Sequence, residues 1–422
     1  MSLTLSTADA ALKEFYLPAI REQLNQTNAL LMQVEKNSTD IEGRRAVLSL
    51  HVTRNSSVGA RAEGGDLPGT TLGIGNQGYA EERVPLKYNY GRIQLSGPVI
   101  RAMRSDRGSF VRAMESETRG VTNDLKRDVN RQLWNDTSGI IVGVATDAGG
   151  DNTVALASTA GTYPSTRTRQ RQLEVGMLID IGTTADIDAI SGASTPRTIT
   201  AVSFATLPGT ITVDGAVLAA TTQDTHFIFR AEIVADGAPA GVELTGIASI
   251  VASSGTLFNV NPTSFPSWVS YVDSNSGTNR SVSENLFASV MHNVEIAGGQ
   301  PANQWWSSDG VHRAFANLLT AQKRFTNTVE VKGGFKGLDV TAGGGSVPLL
   351  WERDAPANTA YLLNTEHLTQ FEMSDWEYMD DDGAVLSRRD NKDAYEATLY
   401  KYHELTTDKR NAHGKLADLT EA

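Results

Sequence analysis

Between residues 9 and 35, apolar side chains recur at helical spacing: Leu12, Phe15, Tyr16, Ile20, Leu24, Leu30, Leu31 and Val34. Pro18 interrupts the series and predicts two short helical pieces, not one rod. Such a segment is either a terminal helix docked on its own domain or an arm lying on another subunit. The period then changes to two. Ala46, Leu48, Leu50 and Val52 alternate with Val47, Ser49, His51 and Thr53, and Val84, Leu86, Tyr88 and Tyr90 alternate with Pro85, Lys87 and Asn89. Both stretches read as half-buried strands, paired antiparallel. The connection from Asn55 to Glu82 carries glycines at 59, 64, 65, 69, 73, 75 and 78. It far exceeds a hairpin turn of about 2–5 residues, so it is either a surface loop or a projection that orders against a neighbour.

From Ser109 to Trp134, the residues Phe110, Met114, Val121, Leu125, Val129 and Leu133 form one apolar stripe among charged positions. Glu115 with Arg119, Asp124 with Arg127 and Asp128 with Arg131 fall at same-face spacing. This predicts a long helix buried on one face. Composition then shifts to Thr, Ala, Gly, Val and Ile, with short strands expected at Ile140–Ala145, Met177–Ile181, Thr198–Phe204, Thr210–Val213 and His226–Arg230. Their spacing fits a small antiparallel barrel or sandwich. Arg167, Arg169 and Arg171 are expected to solvate a strand or pair with carboxylates.

In the last third, Ser281-x-x-Glu284 reads as a capping box before Leu286, Phe287, Val290, Met291 and Val294, with Gly298 past the end. Ser307, Ser308 and Asp309 can cap a helix carrying Val311, Phe315, Leu318, Leu319 and Phe325, and Asn364 a short helix near Leu368. Tyr395, Ala397 and Leu399 alternate in a strand running toward Tyr402. The polar tail from Thr407 to Ala422 is expected to fray.

Composition narrows the function. The 422 residues carry a formal net charge of −12, which argues against a sequence-specific nucleic-acid binder. Adding the 38 Gly and removing the 11 Tyr gives roughly 46% apolar usage, ordinary for a globular chain. Without cysteine there is no disulfide framework, Cys-ligated metal or thiol chemistry. No signal peptide is visible, and the uncharged stretch Leu244–Val260 is too rich in Ser, Thr, Gly and Asn to span a membrane. The chain reads as a soluble protein folded in a cytoplasm.

Chemical motifs are sparse. Thr341–Ser346 and Gly333–Gly337 lack the Lys-Ser/Thr ending of a phosphate loop and read as turns. Asp380, Asp381, Asp382 and Gly383 lack the first ligand and the bidentate Glu of a calcium loop and read as an acidic turn. The histidines at 51, 226, 292, 312, 367, 403 and 413 never fall at metal-site spacing. Trp268, Trp305 and Trp306 read as core or interface anchors. No residue is singled out as catalytic, cofactor-binding or metal-ligating; no cofactor and no enzymatic activity are expected.

The order of parts is more informative than any motif. Ala60-Arg-Ala-Glu-Gly-Gly-Asp-Leu-Pro68 lies at the tip of the Gly-rich connection, and Val84-Pro-Leu-Lys-Tyr-Asn-Tyr-Gly-Arg-Ile-Gln-Leu-Ser-Gly-Pro98 on its return strand. Asp124-Leu-Lys-Arg-Asp-Val-Asn-Arg-Gln-Leu-Trp134 and Gly246-Ile-Ala-Ser-Ile250 follow. Over nearly its whole length, this series resembles the tailed-bacteriophage major capsid proteins with the HK97-type fold, particularly those of actinobacteriophages. The resemblance implies an α+β fold with an N-terminal arm (1–43), an E-loop hairpin (44–98), a spine helix opening the P-domain (99–144), an inserted β-barrel or sandwich-like subdomain (145–240), an A-domain (241–375) and closing P-domain strands with a tail (376–422). It implies hexamers and pentamers of one chain forming an icosahedral shell around double-stranded DNA, held by non-covalent E-loop and N-arm contacts. A separate scaffolding protein and a portal are expected partners, a decoration or minor capsid protein is a further candidate, and no membrane is involved. The alternative is another phage structural or adhesin-type binding module.

Some members of that family lock their shells by Lys–Asn isopeptide bonds whose lysine lies on the E-loop. Here no lysine occurs between Asn37 and Leu86. Boiled particles should therefore run on a denaturing gel as the 45.3 kDa chain, and a ladder of covalent multimers would contradict this.

Overall fold

The computed structural model describes residues 18–19, 29–55, 58–60, 63, 76–98, 107–158, 163–190, 196–215, 218–231, 233–234, 237–321, 328–331, 335–342, 345–380, 383–389 and 391–422. Most of the helical segment expected over 9–35 lies outside them. Residues 29–33 form turns, and Ala29, Leu30 and Val34 are buried in the chain's own core. Strands β1 (Glu35–Asn37), β2 (Ile41–Glu42), β3 (Arg45–Thr53), β4 (Gly78–Pro85) and β5 (Lys87–Ser96) lead into helix α1 (Arg107–Trp134). At 28 residues, α1 is about 42 Å long.

A β-rich unit follows: β6 (Ile140–Gly143), β7 (Thr153–Ala155), α2 (Arg167–Arg171), β8 (Leu178–Gly182), β9 (Arg197–Ser203), β10 (Thr210–Val213) and β11 (Phe227–Arg230). The order is β6-β11-β8-β9-β10-β7. The bridge Val144↔Leu156, with Ala145 N–H donating to Ala155 O at 2.8 Å, joins the last strand back to the first. The unit is thus a closed six-stranded barrel, filled by Val142, Ile179, Ile181, Ile199, Ile211 and their neighbours. The arginine run is not on a strand. It is the short helix α2, because Thr166 caps it and accepts the Arg169 N–H. Arg169 is not solvated either: it donates to Ile141 O at 2.5 Å and lies over the Tyr163 ring. Arg171 does pair with a carboxylate, Asp309, at 3.3 Å.

The chain continues through α3 (Ile247–Ile250), β12 (Tyr271–Asp273), α4 (Glu284–Gly298), β13 (Gln304–Ser307), α5 (Asp309–Ala321), β14 (Thr328–Val331), β15 (Phe335–Ala342), β16 (Gly345–Trp351) and β17 (Ala360–Leu363). A turn of 3-10 helix (Thr365–His367), capped as expected by Asn364, precedes β18 (Leu368–Glu372), β19 (Glu377–Tyr378), β20 (Ser387–Arg388), β21 (Ala394–Thr407) and β22 (Gly414–Leu416). The cap of α4 is Ser283, whose Oγ accepts the Leu286 N–H at 3.4 Å, and not Ser281. The left-handed closing residue is Gly299 (φ 69°), one beyond the expected Gly298. Ser308 caps α5, and Phe325 lies outside the described residues.

Two sheets make the body. The seven-stranded sheet runs β12-β22-β17-β13-β16-β15-β14. Adjacent residues of β13 enter different cores: Trp305 packs with Phe287 of α4 and Phe315 of α5, and Trp306 packs with Trp134 at the end of α1. β22 lies inside this sheet, with Leu416 and Leu419 fully buried, so the tail does not fray. The second sheet centres on β21, which pairs with β5 from Ala394↔Ser96 to His403↔Lys87 on one side and with β18, β19 and β20 on the other.

The alternation expected to run from Val84 to Tyr90 breaks at Leu86. β4 pairs with β3 and β5 with β21, and the inward positions change parity. Val84 and Leu86 are buried, whereas Tyr88 and Tyr90 are 46% and 52% exposed and Asn89, Ile93 and Leu95 turn inward. Gly91 lets α1 approach, since a Cβ there would lie 2.6 Å from Leu125. Gly246 does the same at the helix end, where a Cβ would meet Asn135 O at 2.0 Å. That carbonyl is backbone and cannot swing away. Gly246→Ala should cost about 3 kcal/mol or more by urea unfolding, and a loss below about 0.5 kcal/mol would contradict this packing.

Candidate assembly site

The stem formed by β3 and β4 has two unlike faces. Ala46 and Val84 are fully buried, and Leu50 nearly so, against Phe371, Leu86, Phe258 and Phe265 of the body. The opposite face carries Val47, Ser49 and His51 beside Arg83, Glu81 and Tyr79, all exposed. The His51 and Tyr79 rings meet at a tilt of 57° with centroids 5.6 Å apart, and Arg83 pairs with Glu81 at 2.9 Å. Two further contacts fasten the stem. Arg83 N–H donates to Phe258 O at 3.1 Å, and Ser267 Oγ donates to Val52 O at 3.3 Å. The strands end at Thr53 and Gly78, so the long connection starts where the seat ends. Residues 64–75 lie outside those described.

One inward stem position is a carboxylic acid. Glu82 is fully buried and accepts the Thr406 hydroxyl at 2.5 Å. Burial pushes its pKa up to about 8. Beneath it, Glu404 accepts from Thr245 N–H at 2.8 Å and Leu405 N–H at 2.9 Å, and burial raises it to about 7. His413 takes the Asn364 N–H on Nδ1 and faces Thr407 Oγ1 with Nε2, and burial lowers it to about 3. His403 lies between Asn89 and Gln370, held well below its ordinary value by burial and by Lys401. A neutral imidazole carries one N–H, so one of these amides presents its oxygen to it.

Charge also clamps the spine to the barrel. Arg131 of α1 binds Glu243 in a buried fork and reaches Asp128 at 3.1 Å, which Arg230 approaches at 3.5 Å. Arg127 grips Glu174 at 2.7 and 2.8 Å.

Of the residues singled out in the sequence, Trp268, Trp305 and Trp306 are core. Gly345 opens β16 opposite Ala342 of β15, and Asp380 O accepts the Gly383 N–H at the acidic turn, whose Asp381 and Asp382 lie outside the described residues. The histidines do not converge: His51 is on the exposed stem face, His367 lies between Asp408 and Gln300, and His403 and His413 sit in separate buried polar clusters. Among the described residues, no group of three or more His, Asp or Glu could hold a metal, and no helix is long and apolar enough to cross a membrane. Sequence reading missed Glu82, Glu404, Phe258 and Arg410. Glu82 alone left a signal, a carboxylate at an inward position between Ala80 and Val84.

No protein-family model and no curated protein matches the chain. Solved structures do. A chain of the cyanophage A-1(L) capsid asymmetric unit aligns over 93% of both chains at 14% identity, with a TM-score of 0.53. The SrpI encapsulin of Synechococcus elongatus PCC 7942 aligns over 93% of this chain and 87% of its own at 9% identity (TM-score 0.45). A Mycobacterium phage Adephagia chain aligns over 92% and 89% at 9% identity (TM-score 0.40). The fold is therefore the α+β phage-capsid fold of the HK97 type that the sequence resemblance implied.

The buried acids give stability a pH dependence. Glu82 has a folded pKa near 8 against an ordinary 4.5, so the folded chain holds a proton that the unfolded chain releases throughout that window. Its contribution is complete below pH 4.5 and falls as pH rises toward 8. The buried histidines act oppositely, but only below about 6.5. From pH 6.5 to 8, unfolding free energy should decline, and Glu82→Gln should flatten the slope by about 1 kcal/mol per pH unit. An unchanged slope in the variant would contradict this assignment.

Proposed function

We propose that the chain is a major capsid protein, structural and not enzymatic, whose copies assemble as hexamers and pentamers into an icosahedral shell around double-stranded DNA. The observation that carries this reading is the capsid fold extending over 93% of the chain. In this reading residues 1–43 are the N-arm, 44–98 the E-loop, 99–144 and 376–422 the P-domain with its tail, 241–375 the A-domain, and 145–240 an insertion. A shell subunit must stay dispersed before assembly yet bury much area after it. A hairpin fastened at its stem, with a long connection beyond the seat, supports that use. Each contact is modest, and a closed lattice multiplies them.

The net charge of −12 suits a wall that encloses DNA without gripping it. A scaffolding protein and a portal are partners this reading requires, a decoration protein is a further one, and the virion is the destination. Lys36 and Lys87, which flank the lysine-free stretch, are engaged by Glu372 and by Gly241 O, in keeping with a shell held non-covalently.

Deleting residues 56–75 leaves residues 54, 55, 76 and 77 to close the hairpin, within the usual loop length of about 2–5 residues. The variant should keep the wild-type circular dichroism and urea midpoint but form no particles by sedimentation and negative-stain microscopy. Particles of normal size would refute the role given to the hairpin.

A further inference from the structure

Arg410 lies just after β21 and is 2% exposed. Its guanidinium makes five hydrogen bonds, all to main-chain carbonyls: Nε to Ile250 (2.9 Å), Nη1 to Gly255 (2.8 Å) and Trp268 (3.4 Å), and Nη2 to Ser249 and Ser254 (both 3.1 Å). Burial lowers its pKa to about 10, which leaves it charged at neutral pH. Carbonyls of one loop that converge on a point repel one another unless a cation sits between them, and a planar fork with five N–H donors matches that arrangement where an ammonium does not.

The loop held in this way is strained. Leu257 and Val260 exchange both main-chain hydrogen bonds across a two-residue turn, with φ of 47° at Phe258 and 72° at Asn259. Asparagine visits that left-handed region readily, and phenylalanine does so at a cost. What the strain presents is the seat of the stem. Phe258 O receives the Arg83 N–H of β4, and its ring bridges the cluster of Leu50 and Trp306 and the cluster of Ala46, Val84 and Phe371. Ser267, at the far end of the loop, holds Val52 of β3. Both strands of the stem are thus gripped by a segment that one side chain organises.

We propose that loop 249–268 is a latch that sets the attitude of the hairpin, with Phe258 as its wedge and Arg410 as the positioning residue. Its importance for assembly rests on the capsid reading above; the latch itself does not.

The test is hydrogen exchange by mass spectrometry on the unassembled full-length chain. Arg410→Lys keeps a charge but cannot span five carbonyls. Phe258→Gly removes the wedge and the strain while leaving Arg410 in place. Both should speed exchange over 45–53 and 78–85 by about tenfold or more, with β13, β16 and β17 unchanged. Should Arg410→Lys lose protection everywhere, Phe258→Gly decides. Stem exchange within about twofold of wild type in Phe258→Gly overturns the latch. Particle yield is scored separately: a loosened stem with normal particles keeps the latch and rejects the hairpin's role in assembly.

Discussion

An isolated two-stranded hairpin is marginal in water, so a projecting one has to be fastened somewhere. In this chain the fastening is the apolar face of β3–β4 laid on Phe258, Phe265, Phe371 and Leu86. Everything around it serves that contact. β21 supplies Thr406 for Glu82, the segment after β21 supplies Arg410 for the loop carrying Phe258, and β5 carries the chain from the stem directly into the central sheet. Because β21 pairs with β5 along most of its length, the position of the stem is tied to the spine helix through Gly91, Leu125 and Val129.

The interior is more polar than the apolar pattern suggests. A hydrogen-bonded row runs from Gln370 of β18 through His403, Asn89 and Gln132 to Asp128 and Arg131, and so crosses from one sheet to the helix that carries the barrel. Such groups cost free energy to bury and gain it back only when partnered, so they specify one arrangement more than they stabilise it. Glu82 is the least satisfied member of this interior: its Oε2 has no partner among the described residues, and burial keeps the group protonated.

Much of the fold was legible. The stripe from Phe110 to Leu133 gave the spine to within a few residues, and turn residues between short Val- and Ile-rich runs gave five of the six barrel strands. The barrel's closure was not legible, because Thr153–Ala155 is too short to show a period. The break at Leu86 was hidden by tyrosine, which suits either face of a strand, so the parity change at Tyr88 and Tyr90 left no mark. The tail misled because its polar residues satisfy buried partners: Arg410 and His413 look solvated in sequence and are enclosed in the fold. The seat itself could not be read at all, since Phe258 meets the stem, and Arg410 the loop that carries Phe258, only through long-range packing.

A reconstruction of particles formed by the purified chain tests the central idea most directly. The account predicts closed shells in which the stems rest on their own subunits as described here, while the connection between Thr53 and Gly78 contacts a neighbouring copy. Finding that connection folded onto its own subunit, or finding no closed particle under any assembly condition, would contradict it.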